Sequence, residues 1–195
     1  MPTRLCARLG ALQSDPRFAT LEMKRHSADH VPFQRLRVKV KREIIRMNQP
    51  AVRPAAQRAS AVDAATLARW LQQGHCDEGR PVLMLDTRNG FEVDAGAFEG
   101  AIDWRLHKFS DFPAELDRHR DELQGATIVS YCTGGIRCEK AALWMQQQGL
   151  PDVLQLDGGI LRYFEDAPGA PGWHGRCVVF DERQSLDTAL HGEAR

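Results

Sequence analysis

The 195-residue chain is 43% hydrophobic, enough for one good-sized domain plus a smaller piece, and its 26 Lys/Arg balance 26 Asp/Glu. The balance is uneven: residues 1–58 hold 13 Lys/Arg against 4 Asp/Glu, and the remainder holds 13 against 22. Five cysteines, odd in number and irregularly spaced, argue against a secreted disulfide framework and for a cytoplasmic protein, and no apolar run is long enough to span a bilayer, so no membrane partner is expected.

A basic first third joined to an acidic remainder fits either a polyanionic partner such as nucleic acid or a solvated basic face. Residues 1–47 read as a partial basic α+β segment: a short helix ending near Gln13, a turn at Ser14-Asp15-Pro16, and an alternating run from Leu36 to Ile45. In that run Leu36, Val38 and Val40 face one way and Arg37, Lys39 and Lys41 the other, which predicts a half-buried strand with a cationic outer face. Residues 48–59, with Pro50 and Pro54 and few large apolar side chains, read as a linker.

From residue 60 to 168 strands and helices alternate, which predicts an α/β, doubly wound parallel sheet. Asp63 caps a helix starting at Ala64 and stopped by Gly74. Pro81-Val-Leu-Met-Leu-Asp86 is an apolar run of the kind that forms a parallel strand covered on both faces. A helix follows around Pro113–Leu123, then the strand ending Ile128-Val-Ser-Tyr-Cys132, a helix from about Glu139, the strand Asp152–Leu156 and a helix after Gly158-Gly159. Residues 169–195 form a C-terminal tail, in which Trp173 and Phe180 are expected to anchor on the domain or to stack on a base.

Catalytic interest centres on Cys132-Thr133-Gly134-Gly135-Ile136-Arg137-Cys138. A loop that turns over its own first residue and opens a helix aims several N–H groups, and the positive helix end, at the Cys132 sulfur. That arrangement lowers a thiol pKa and favours a nucleophilic thiolate. Four residues separate Cys132 from Arg137. A cysteine phosphatase loop is one residue longer and cradles a phosphate. The shorter ring suits a single extra sulfur or oxygen on Cys132, with Arg137 either holding the loop's shape or contacting an anionic donor.

The set Asp86-Thr-Arg88, Glu92, Gly96, Gly100-Ala-Ile, Cys132-x-x-Gly135-x-Arg137 and Gly158-Gly159 resembles the rhodanese domain across roughly residues 60–165. In that family the matching cysteine carries a persulfide. The spelling Cys132-Thr-Gly-Gly-Ile-Arg-Cys-Glu-Lys140, with Leu85-Asp-Thr-Arg-Asn89, Leu156-Asp-Gly-Gly-Ile-Leu and Trp173-His-Gly-Arg-Cys-Val-Val-Phe-Asp-Glu-Arg183, is similar to the rhodanese-domain tRNA uridine hydroxylases. Asp15-Pro-Arg-Phe and Val38-Lys-Val-Lys-Arg-Glu-Ile look like the end of that family's acylphosphatase-like first domain. Only about a dozen residues stand where the family carries a βαβ-like stretch, so that domain reads as shortened. The resemblance implies an enzyme that converts wobble uridine of tRNA to 5-hydroxyuridine, with molecular oxygen as co-substrate and no cofactor motif evident. The alternatives are a sulfurtransferase taking sulfur from a small donor onto Cys132, and a non-catalytic remnant.

Supporting roles fall to Asp86, expected to be structural, and Arg88, its expected ion partner. Arg37, Lys39, Lys41 and Arg42 are candidates for tracking tRNA phosphates. Cys138 either packs under the loop or resolves an oxidised Cys132. A zinc site from Cys132, Cys138, His174 and Cys177 lacks the paired close spacings of structural zinc, and no metal is expected.

Overall fold

The computed structural model describes residues 11, 13–19 and 39–192. The chain divides into two compact units, Met1–Gln34 and Arg35–Arg195. In the first, residues 11 and 13 are helical and 14–19 run as a turn, closed by the Asp15 carboxylate accepting from Arg17. The expected βαβ-poor α+β segment falls largely outside the described residues, as do Arg37 and Val38.

The second unit is built on a five-stranded parallel sheet in the order β1-β6-β5-β2-β4. Its strands are β1 (Ala61–Val62), β2 (Val82–Asp86), β4 (Ile102–Asp103), β5 (Thr127–Tyr131) and β6 (Val153–Leu156). Central β5 reads Thr-Ile-Val-Ser-Tyr and is buried throughout, the composition a strand covered on both faces requires. Alternation divides its side chains between two cores. Ile128 joins Leu85 and Val153 on one face, whereas Val129 and Tyr131 join Met84 and Leu156 on the other.

Helices α3 (Phe112–His119) and α4 (Ile136–Gln147) cover the first face, and α1 (Ala64–Gln73) and α5 (Gly159–Asp166) pack together over the second. Asp63 caps α1 by accepting from the Thr66 amide at 2.9 Å, and Gly74 closes it in the left-handed conformation at φ 77°. The short α2 (Gly90–Ala95) follows β2 and leads into β3 (Gly96–Phe98).

Two elements differ from their sequence expectation. Residues 39–45 form no strand, and Val40 and Ile44 are exposed. Among the described residues the run meets no sheet edge, so its period of two has no pairing partner there. Instead Glu43 accepts from Lys140 on α4 at 2.5 Å and from the Met47 amide at 3.0 Å, fixing this stretch across the helix. Within the stretch read as a linker, Val52 and Ala59 are buried beside Met47 in the first core.

The second difference lies in the tail. Residues β7 (Trp173–Gly175) pair antiparallel with β3, and β8 (Cys177–Val178) with β9 (Ser185–Leu186). Phe98 lies at the centre of an aromatic cluster, its ring centroid 4.9 Å from Tyr131, 5.0 Å from Tyr163 and 5.2 Å from Trp173, all edge to face. Trp173 is thus an anchor, as expected. Phe180 is not: it is 69% exposed and stands at the mouth of a cleft. Among the described residues no helix is long and apolar enough to cross a membrane.

Candidate active site

Parallel sheets place ligands beyond the carboxyl ends of their strands, and β2 and β5 end side by side, with Asp86 in register with Tyr131. Cys132 follows Tyr131 directly. Three residues then turn the chain, and Gly135, at φ 87°, opens α4. The Gly135 N–H donates to Cys132 Sγ at 3.1 Å, and the amides of Arg137 and Cys138 point at the same sulfur.

The loop is held from outside by the start of α5. The amides of Ile160 and Leu161 donate to the carbonyls of Cys132 and Thr133 at 3.0 and 3.1 Å. Such close approach needs the Gly158-Gly159 pair, with φ values of 69° and 71°. A Cβ on Gly159 would stand 2.7 Å from Gly135 N and 2.8 Å from Thr133 O, with the Cys132 carbonyl closer still. Gly159→Ala is therefore expected to lower stability by about 1–3 kcal/mol and to displace the loop. Thermal unfolding together with the alkylation rate of Cys132 checks this; an unchanged melting temperature and an unchanged rate would show that the loop tolerates a side chain there.

Cys132 is only 2% exposed, yet it lies at the floor of the cleft. Its thiol is held well below the ordinary range because the Cys138 thiol donates to it and because the Arg137 charge and the loop amides favour the thiolate, against the opposing effect of burial. Burial first, and then the neighbouring thiolate, push Cys138 the other way. Buried Cys177 is pushed up to about 12, chiefly by burial. The surroundings thus favour the thiolate at Cys132 and the protonated thiol at Cys138 and Cys177.

Two buried ion pairs frame this cysteine. Arg137 uses both terminal nitrogens on Glu92, at 2.6 and 2.8 Å. Of the two roles the sequence leaves open for Arg137, this geometry is that of holding the loop. Glu92 also accepts from the Asn89 amide at 3.1 Å and from Thr133 Oγ1 at 3.4 Å, so α2, the loop and α4 meet at one carboxylate. Arg88 grips Asp86 through Nε at 2.9 Å and a terminal nitrogen at 2.6 Å, and its remaining N–H groups reach the carbonyls of Glu92 and Gly96. Its guanidinium stacks over Tyr131 and Trp173.

The cleft above Cys132 holds about 730 Å³. Its walls carry Thr133, Gly134, Ile136 and Arg137 from the loop, and Asn89, Lys108 and Phe109 from the sheet side. Ile44, Arg46 and Phe180 form the lip. Sequence reading missed Glu92 as the partner of Arg137 and missed this lip. A carboxylate 45 positions upstream of its arginine leaves no local spacing signal. Exposed Ile44 and Phe180 carry one, being large apolar residues outside any core. Lys39, Lys41 and Arg42 are exposed on the stretch that runs into this lip. Of the residues weighed for zinc, His174 points away to Glu99 at 3.5 Å, and no group of three or more His, Cys, Asp or Glu among the described residues is arranged to hold a metal ion.

A cysteine at the end of the central parallel strand, with loop amides turned toward it at a helix start, is the arrangement of a rhodanese-like domain, and the model of the Rhodanese-like domain family matches residues 63–166. A tRNA uridine(34) hydroxylase of Bordetella petrii is 63% identical over 179 residues, covering 92% of this chain and 71% of that protein. One of Variovorax paradoxus is 55% identical over 194 residues, covering 100% of this chain and 73% of its own. Among solved structures, the rhodanese-like domain of an Anabaena protein aligns at 23% identity with a TM-score of 0.47, over 60% of this chain and 80% of that one. The chain belongs to the tRNA uridine(34) hydroxylase family of rhodanese-domain proteins.

Proposed function

We propose that this chain is a tRNA-modifying oxidoreductase of the cytoplasm that hydroxylates uridine 34, at the wobble position, to 5-hydroxyuridine, with molecular oxygen as the oxidant and Cys132 as the reactive residue. The observation that carries this reading is the identity of 55–63% over nearly the whole chain to tRNA uridine(34) hydroxylases.

The site supplies what the reaction asks of it. The cleft is wide enough for a flipped-out nucleobase, and it is lined by apolar and aromatic side chains with a few polar groups. Phe180 and Ile136 offer exposed apolar surface against which a base can stack. Arg46 and Lys108 at the cleft, with Lys39, Lys41 and Arg42 beside it, offer cations to the phosphates that flank the base. At the floor, amides that already stabilise a thiolate also stabilise one added atom on its sulfur.

The test is complementation. In a bacterial strain deprived of its own 5-hydroxyuridine-forming enzymes, expression of this chain should restore 5-hydroxyuridine in total tRNA, read by nucleoside mass spectrometry. Unmodified tRNA, together with purified protein that gains the mass of one sulfur on Cys132 from thiosulfate and passes it to cyanide, would replace this reading with sulfurtransfer.

A further inference from the structure

The reaction raises a question of electrons. Dioxygen accepts four on the way to a hydroxyl group and water, and the C5–H bond of uridine supplies two. The other two must come from elsewhere. Beneath the loop that carries Cys132 lies an oxidisable side chain, a second cysteine.

Cys138 lies in the first turn of α4, six positions after Cys132, and is fully buried. Of the influences on the Cys132 thiol, that of the Cys138 side chain is the largest, and it favours the thiolate. Thr87 fixes Cys138 from the other side: the Thr87 hydroxyl is 3.0 Å from the Tyr131 carbonyl, in the peptide that leads into Cys132, and 3.5 Å from Cys138 Sγ. One hydroxyl thus spans the backbone of the first cysteine and the sulfur of the second. Simple packing would be served by alanine or valine at this position. A second buried thiol, fixed by Thr87 beneath the loop of a cysteine whose thiolate is favoured, is instead the arrangement of an oxidisable cysteine and its resolving partner, in which the first takes an oxygen atom and the second resolves it.

We propose that Cys132 and Cys138 together supply the two electrons, passing through a Cys132 sulfenic acid to a Cys132–Cys138 disulfide. This rests on the hydroxylase reading above. Insertion of dioxygen at C5 breaks the C5–H bond, forms C5–O and O–H, and leaves a hydroperoxide on the base. The Cys132 thiolate attacks the outer oxygen. An S–O bond forms, O–O breaks, and the inner oxygen takes a proton to become the product hydroxyl. Cys138 then attacks the sulfenic sulfur, an S–S bond forms, and the hydroxyl leaves with the Cys138 proton as water. Two S–H groups are oxidised, one oxygen atom enters the uridine and the other ends in water. An external thiol entering through the cleft at Cys132 resets the pair by disulfide exchange. The loop suits the intermediate, since the Gly135 amide that donates to the Cys132 sulfur is placed to donate to a single oxygen carried on it.

The experiment uses the whole chain, reduced, freed of reductant, and mixed with unmodified tRNA in air-saturated buffer. Expected are at most one 5-hydroxyuridine per chain, the loss of two free thiols, and a peptide cross-linked between Cys132 and Cys138. Dithiothreitol should restore repeated turnover. Cys138→Ser, checked for folding by circular dichroism, should lower the reductant-free yield at least about tenfold and accumulate sulfenic acid trapped by dimedone. Product formed without that cross-link, a Cys132–Cys177 cross-link in its place, or full yield from folded Cys138→Ser would overturn the proposal while leaving the hydroxylase reading standing. A wild-type chain that makes no 5-hydroxyuridine even with dithiothreitol overturns both.

Discussion

Cys132→Ser is expected to reduce 5-hydroxyuridine formation by on the order of 1000-fold or more while leaving the fold intact. Serine fills nearly the same volume and still accepts from the Gly135 amide, so the loop keeps its acceptor. What it loses is an easily ionised, easily oxidised atom. Nucleoside mass spectrometry on tRNA measures the first effect and thermal unfolding the second; a variant keeping more than a tenth of wild-type activity would remove Cys132 from the chemistry. The sign of the pH dependence follows from the same contacts. Because the thiol pKa is lowered, the thiolate is the resident form through neutral pH, and it is lost only as pH falls through that depressed value. Alkylation of Cys132 should therefore be flat from neutral to alkaline pH and decline on the acid side, whereas an ordinary thiol declines already below about pH 8.5. A rate that still climbs above neutrality would show that the Cys138, Arg137 and amide contacts do not hold the thiolate.

The second large effect is expected at Glu92, a residue that touches no substrate. Glu92 is fully buried, and Arg137 is 8% exposed, so solvent screens their pair little. Glu92→Gln keeps the shape but removes the carboxylate that both terminal nitrogens of Arg137 bind, leaving the buried guanidinium with only the Cys132 thiolate as counter-charge, at an expected cost of about 3–5 kcal/mol in unfolding free energy. Urea denaturation measures it, and a loss under about 1 kcal/mol would contradict the account. The double replacement Glu92→Gln with Arg137→Met should recover part of the loss, because it removes the stranded charge. Activity should not recover with it, since the loop then lacks the clamp that joins α2, Thr133 and α4.

Much of this site is written locally. The β-branched run into Cys132, the turn glycines and the four-residue interval to Arg137 are all contiguous, so strand, loop and helix follow from neighbouring residues. The Asp63 cap and Gly74 stop are equally local, and the structure has both. What was not legible is what comes together from afar. Glu92 reaches Arg137, Glu43 reaches Lys140, and Phe180 returns to the mouth of the cleft, each across an interval that no period or spacing marks. Strands such as β1, β3 and β7 have two or three residues, too few for alternation to register. The run at Val40 fails for the opposite reason: it has the alternation, but among the described residues no neighbouring strand pairs with it.

Arg88 shows how far modularity extends here. The rhodanese pattern stops at residue 166, but one face of this fully buried guanidinium rests on Trp173, and the loop threonine donates to the Val178 carbonyl. A segment excised along the pattern's own limits and grafted elsewhere would open Arg88 to water and take away one of the two acceptors of Thr133. The stretch that the family pattern matches and the stretch that packs together are thus different lengths of the same chain. The second must include the returning strands, because Trp173 covers the Arg88 guanidinium and the Val178 carbonyl accepts from Thr133.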